Sequence, residues 1–165
     1  MSGLAELLIS KGFVVSGSDS KASALTKRLE GLGAVIWYDQ SVSHISDDIE
    51  LVVYTAAVRA GNADLDDASA RGISVLSRAE LLGLIMKTYE CPIAISGTHG
   101  KTTTTSMVSE ILLKAGLDPT LSIGGMLPSI GGNFRIGCGS HFVTEACEYT
   151  NSFQHFFPLI GIILN

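Results

Sequence analysis

The chain has 165 residues, 46% of them hydrophobic and only 16% charged, with a formal net charge of -5. That apolar content and only 4 prolines exclude a disordered chain. The mild acidity argues against a nucleic-acid binder or a polybasic membrane binder. No apolar run approaches the ~20 residues needed to cross a bilayer. Met1-Ser2-Gly3-Leu4-Ala5-Glu6 lacks the basic start of a signal peptide. Three cysteines, Cys91, Cys138 and Cys147, form no CxxC pair and suggest a reducing cytoplasm.

Leu4, Leu7 and Leu8 recur at helical spacing, which predicts a helix over 2–11, ended by Gly12. Phe13-Val14-Val15 reads as a buried strand running into the polar turn Ser16-Gly17-Ser18-Asp19. A helix follows over 22–31, then strands at 34–38 and 51–54. Residues 63–71 read as a helix, 73–76 as a strand and 78–87 as a helix. Alternating short strands and helices predict an α/β domain, Rossmann-like but lacking its first strand. Thr88-Tyr89-Glu90-Cys91-Pro92 reads as the boundary, giving domains over 1–88 and 89–165.

In the second domain 92–96 is a strand, 97–100 a loop and 101–114 a helix. Residues 119–123 follow as a strand, and 124–139, with 6 glycines, as a loop. Strands at 141–145 and 159–164 close the series. Of the chain's 27 charges, 20 fall in the first 90 residues, so the later part is expected to carry apolar surface that something else covers. The opening helix wants a preceding strand, and the last strand stops at Asn165. Both ends therefore read as cut, and the chain alone is expected not to complete a catalytic cycle.

The stretch Ile95-Ser96-Gly97-Thr98-His99-Gly100-Lys101-Thr102-Thr103 is a strand, a glycine loop and a helix start. This is the setting of a phosphate-binding loop of a P-loop ATPase. Glycines let backbone N–H groups turn toward an anion, and the helix N-terminus adds about half a positive charge. Gly97, Thr98, His99, Gly100, Lys101, Thr102 and Thr103 are the candidate ATP-binding residues. Lys101 would reach the β/γ-phosphates, and the Thr102 hydroxyl would ligate Mg²⁺. The commonest pattern has a glycine where this chain has Ile95, and the alternative is an ordinary strand–helix turn. Glu145 ends an apolar strand and could complete the metal site, with Glu148 a second candidate. Solvated loop carboxylates are the competing reading for both. Ser18, Asp19, Thr55 and Ala56 follow two strands of the first domain, where open α/β sheets bind ligands, though a turn-forming role suits Asp19 equally. The four histidines show no zinc spacing, and the G-x-G-x-x-G of an NAD site is absent from the sequence.

Gly97-Thr98-His99-Gly100-Lys101-Thr102-Thr103-Thr104-Thr105-Ser106-Met107 resembles the ATP loop of the Mur ligases. Met1 to Leu8, Ser16 to Asp19, Val53 to Val58, Ser77 to Leu82 and Glu145 to Phe153 resemble further segments of that family. One departure is Glu145-Ala146-Cys147-Glu148-Tyr149-Thr150, where many members have Glu-Ala-Asp-Glu-Ser-Asp. The resemblance implies an ATP- and Mg²⁺-dependent amide ligase of peptidoglycan synthesis, with Lys101 and Glu145 catalytic. The branch it is most similar to joins L-alanine to UDP-N-acetylmuramate. ATP would phosphorylate the sugar's lactyl carboxylate, and the amine would attack the acyl phosphate. On this resemblance residues 1–88 hold the UDP-sugar, through Ser18, Asp19, Thr55 and Ala56, and residues 89–165 begin the ATP-binding domain. The family's Gly-rich loop would precede Met1, and a metal-site histidine, an activating lysine and a C-terminal domain would follow Asn165. A sibling ligase that attaches a peptide to the same sugar, and a non-catalytic nucleotide-binding module, are the alternatives.

Overall fold

The computed structural model describes residues 1–39, 42–58, 61–147 and 149–165, which form two compact units, Met1–Arg78 and Ala79–Asn165. In the first unit, helix α1 (Ser2–Ser10) buries Leu4 and Leu7 and ends at Gly12, whose φ of 88° suits glycine. Strand β1 (Ser16–Ser18) pairs in parallel with β2 (Val35–Trp37) through helix α2 (Ala24–Gly31). Ser23 starts α2 with a reciprocal capping box: its side chain accepts from the Thr26 N–H, and its own N–H donates to the Thr26 hydroxyl. Strand β3 (Leu51–Tyr54) pairs in parallel with β4 (Ser74–Ser77) through helix α3 (Ala63–Ala70), whose cap is Asn62. Parallel pairs need such crossovers, and each of these has a helix. The two pairs are separate sheets.

The expected buried strand over Phe13–Val15 is corrected. The β1–β2 ladder starts at Ser16, and Phe13 and Val14 are 61% and 93% exposed. Apolar composition signals a need for burial, but only a packed neighbour supplies it.

The second unit opens with helix α4 (Arg78–Met86), its first residue apart. A Cβ on Gly83 would lie 1.9 Å from the His155 carbonyl oxygen, so α4 packs directly on the backbone of this unit. The compact unit thus begins ahead of the 88–92 boundary read from the sequence. Strand β5 (Cys91–Ser96) is an inner strand of a five-stranded sheet, one place in from its edge, with helix α5 (Lys101–Lys114) after it. The sheet also contains β6 (Thr120–Leu127), β7 (Gly132–Arg135), β8 (His141–Ala146) and β9 (Ile160–Ile163), in the order β7-β6-β8-β5-β9. Among the described residues of this sheet, only the β6–β7 pair is antiparallel. Pro92 through Ile95 are all buried, as in a strand covered on both faces. Ile93, Ile95, Leu121, Ile123, Leu127 and Val143 form the core, with Val108, Leu112 and Leu113 of α5 packed on it. Each such side chain contributes about 1.5–3 kcal/mol on burial.

The expected loop over 124–139 is also corrected. Strand β6 extends to Leu127, and β7 turns back along it after a 3-10 turn, Pro128–Ile130, with Gly131 at φ 62°. Several glycines here serve close packing. A Cβ on Gly137 or Gly139 would lie 2.1 Å from the Asp118 carbonyl oxygen or 1.9 Å from that of Leu117. Asp118 ties the hairpin down. Its carboxylate pairs with Arg135 and accepts from the Cys138 N–H at 2.7 Å. Those contacts, the Cys138 N–H first, hold its carboxyl below the usual carboxylate range. Met107 and Ile111 of α5 and Met126 of β6 face solvent along a shared cleft, apolar surface of the kind the sparse charge predicts. Among the described residues no helix is long and apolar enough to cross a membrane. The three cysteines are unbridged.

Candidate nucleotide site

The β5–α5 junction folds as a glycine turn. Gly97 has φ 140°, and Gly100, the residue capping α5, has φ 79°. Gly100 brings no side chain to the cap. The turn leads into the positive end of the dipole of a 14-residue helix. Two loop amides are already committed: the Thr98 N–H donates to the Asn165 backbone oxygen at 2.7 Å, and the His99 N–H to Asn165 Oδ1 at 3.3 Å. Asn165 escapes sequence reading because only the pairing of β9 with β5 brings it to the loop.

Lys101 curls over this turn. Its Nζ donates to the carbonyl of Gly97 and, at 3.3 Å, to that of Thr98. The ammonium thus stands at the loop, with α5 behind it.

Thr102 and Glu145 come together from different elements. Register pairs Glu145 of β8 with Ile95 of β5, two residues before Gly97. The Thr102 hydroxyl donates to Glu145 Oε2 at 3.1 Å, and the Gly124 N–H of β6 donates to Oε1 at 2.7 Å. Neighbouring ligands on an octahedral Mg²⁺ stand about 2.9 Å apart, given metal–oxygen bonds of 2.0–2.1 Å. The hydroxyl and Oε2 thus fit two adjacent positions of such an ion. Phosphate and water oxygens commonly fill the rest, since Mg²⁺ rarely takes an all-protein cage. Glu148 lies outside the described residues.

The first-unit candidates occupy strand ends. Ser18 ends β1, and its hydroxyl donates to Asp64 Oδ2 at 2.8 Å. Asp64 Oδ1 in turn accepts from the His44 N–H at 2.8 Å, and the His44 ring stacks on Trp37 at 4.8 Å. Ser18 is therefore tied to α3, a link with no local sequence signal. Asp19 is exposed, with its N–H on the Trp37 carbonyl. Thr55 follows β3, and its hydroxyl accepts from the Ala57 N–H at 3.2 Å, which leaves Ala56 exposed at the tip of that turn.

Comparison with known proteins bears on the whole chain. It is 60% identical over all 165 residues to UDP-N-acetylmuramate–L-alanine ligase of Lachnospira eligens, covering 36% of that protein. The chain therefore spans about a third of the length of the curated relatives it matches. The crystal structure of the UDP-N-acetylmuramate–alanine ligase of Thermotoga maritima superposes on 99% of this chain and 38% of its own, with a TM-score of 0.85 and 32% identity. A Neisseria meningitides ligase acting on UDP-N-acetylmuramate and L-alanyl-gamma-D-glutamyl-meso-diaminopimelate superposes with a TM-score of 0.86 and 26% identity, over 99% of this chain and 56% of its own. Residues 1–90, more than half the chain, match the Mur ligase family, catalytic domain. The chain belongs to the Mur ligase family.

Proposed function

We propose that this chain supplies the UDP-sugar-binding unit and the phosphate loop of a cytoplasmic, ATP-dependent ligase that joins L-alanine to UDP-N-acetylmuramate. The observation that carries the nucleotide reading is the meeting of Thr102 and Glu145 beside a glycine turn that opens a helix. The 60% identity to the Lachnospira eligens enzyme supports the substrate pair. Ser18, Asp19, Thr55 and Ala56 are the residues assigned to the UDP-sugar.

In this reading the amides at the start of α5 hold the β- and γ-phosphate oxygens. Lys101 leaves its loop carbonyls for the phosphoryl group and neutralises charge that builds on it during transfer. Thr102 and Glu145 would hold Mg²⁺, which when bound would draw charge from the same oxygens. The γ-phosphoryl group passes to the lactyl carboxylate as its bond to ADP breaks, and the amine of L-alanine, giving up a proton, displaces phosphate from the acyl phosphate to form the amide. The protein's share is positioning and electrostatics.

The test is a chimera in which this chain replaces the matching stretch of the Lachnospira eligens ligase. Phosphate release should require both UDP-N-acetylmuramate and L-alanine. Lys101→Ala should cut it by about a hundredfold or more, the scale of losing a transition-state charge contact. Turnover untouched by Lys101→Ala overturns the nucleotide assignment. A chimera that folds but cannot use UDP-N-acetylmuramate overturns the sugar assignment.

A further inference from the structure

The glycines of β6 carry a second consequence for the Thr102–Glu145 pair. Strand β6 pairs with β8 from Thr120 to Ser122, where the ladder reaches Thr144 and stops. Past that point the Gly124 N–H bonds the Glu145 side chain. An ideal Cβ on Gly124 would lie 2.6 Å from Glu145 Oε2 and 3.0 Å from its Cδ and Oε1. A Cβ on Gly125 would lie 2.9 Å from Thr102 Cγ2. Neither glycine is among the residues with positive φ, so their backbone does not demand glycine. A Cβ at either would instead displace a side chain, and each glycine leaves room for one partner of a single contact.

We propose that Gly124 and Gly125 are positioning residues for the metal-binding pair. The Gly124 N–H holds Oε1 and so aims Oε2 at the Thr102 hydroxyl, while the two missing Cβ atoms let Glu145 and Thr102 meet. This rests on the nucleotide reading above. It extends that reading to a strand whose glycines carry no motif of their own.

The test uses the full chain, Mn²⁺ as the probe and a non-hydrolysable ATP analogue, with bound Mn²⁺ read by electron paramagnetic resonance. Gly124→Ala should weaken Mn²⁺ binding to the nucleotide complex about 10–100-fold, the range for losing a group that orients a metal ligand. Affinity for the analogue in chelator should stay within about twofold, since the phosphate amides belong to α5. Compensating changes separate positioning from misfolding. Glu145→Asp retracts the carboxylate from β6, so it should weaken Mn²⁺ binding alone yet restore part of it beside Gly124→Ala. Thr102→Ser removes only Cγ2 and keeps the hydroxyl, so it should rescue Gly125→Ala. Gly132→Ala, whose Cβ would meet nothing nearer than 3.9 Å, should change nothing. Unchanged Mn²⁺ affinity in Gly124→Ala overturns the inference, as do losses that simply add in both pairs. If the unsubstituted chain holds no Mn²⁺–nucleotide complex, the nucleotide reading fails and takes the inference with it.

Discussion

In the proposed reading, Lys101 and Thr102 are adjacent but work on different parts of the same ligand. Lys101 offers a point charge to phosphate whether or not a metal is present. Thr102 offers an oxygen that matters to nucleotide only through a metal. This gives a separation that chelator can read. Lys101→Ala should lower nucleotide affinity with and without Mg²⁺. Thr102→Val keeps the side-chain volume but deletes the hydroxyl donor of the 3.1 Å bond to Glu145. It should lower affinity only when Mg²⁺ is present, by about tenfold. Calorimetric titration of the chain with ATP analogue in Mg²⁺ and in chelator checks this. An equal loss for Thr102→Val in chelator would place its hydroxyl on phosphate.

At the scale of elements, the β6–β7 hairpin is the piece whose behaviour should depend on acid. Asp118 accepts from the Cys138 N–H and pairs with Arg135, and both contacts favour its anion. Its folded pKa is lowered, so the unfolded chain takes up the proton more readily. The stability it contributes is therefore full above the ordinary carboxylate value, about 3.9, and is lost as pH falls through the folded value. Asp118→Asn should destabilise the protein at neutral pH and flatten its loss of stability below about pH 4. Asparagine also tolerates the φ of 46° at this position. Urea midpoints for both proteins across pH 3–7 check it, and parallel curves would remove Asp118 from the account. This hairpin is also where the sequence was least legible. Glycine density reads as loop because glycine is the usual turn residue, but Gly137 and Gly139 are small for packing and Gly124 and Gly125 lie inside a strand. By contrast, β5, its glycine turn and α5 were legible end to end. There the apolar run, φ-permissive glycines and helical spacing all agree. Glu145 could be read as a strand-end acid, while its Gly124 N–H partner needed the β6–β8 register.

At the scale of the molecule, two compact units carry two ligand assignments, and each can be probed separately. The chain's one tryptophan, Trp37, lies in β2 of the first unit, stacked on His44. Its fluorescence therefore reports local unfolding of that unit. In the second unit Ile95 and Val143 are fully buried on neighbouring strands, so their amides report the sheet beneath the β5–α5 glycine turn. A ligand that binds only the folded form stabilises what it binds by about 2.7 kcal/mol at a hundred times its dissociation constant. UDP-N-acetylmuramate should raise the denaturation midpoint seen by Trp37. The ATP analogue with Mg²⁺ should slow hydrogen exchange at Ile95 and Val143, and Lys101→Ala should abolish that slowing. Ser18 is the informative control in the first unit. Because its hydroxyl is bound to Asp64, Ser18→Ala should lower the Trp37 midpoint without ligand as well as the shift on adding the sugar. Protection of Ile95 and Val143 by the UDP-sugar, with no response at Trp37, would reverse the assignment of ligands to units.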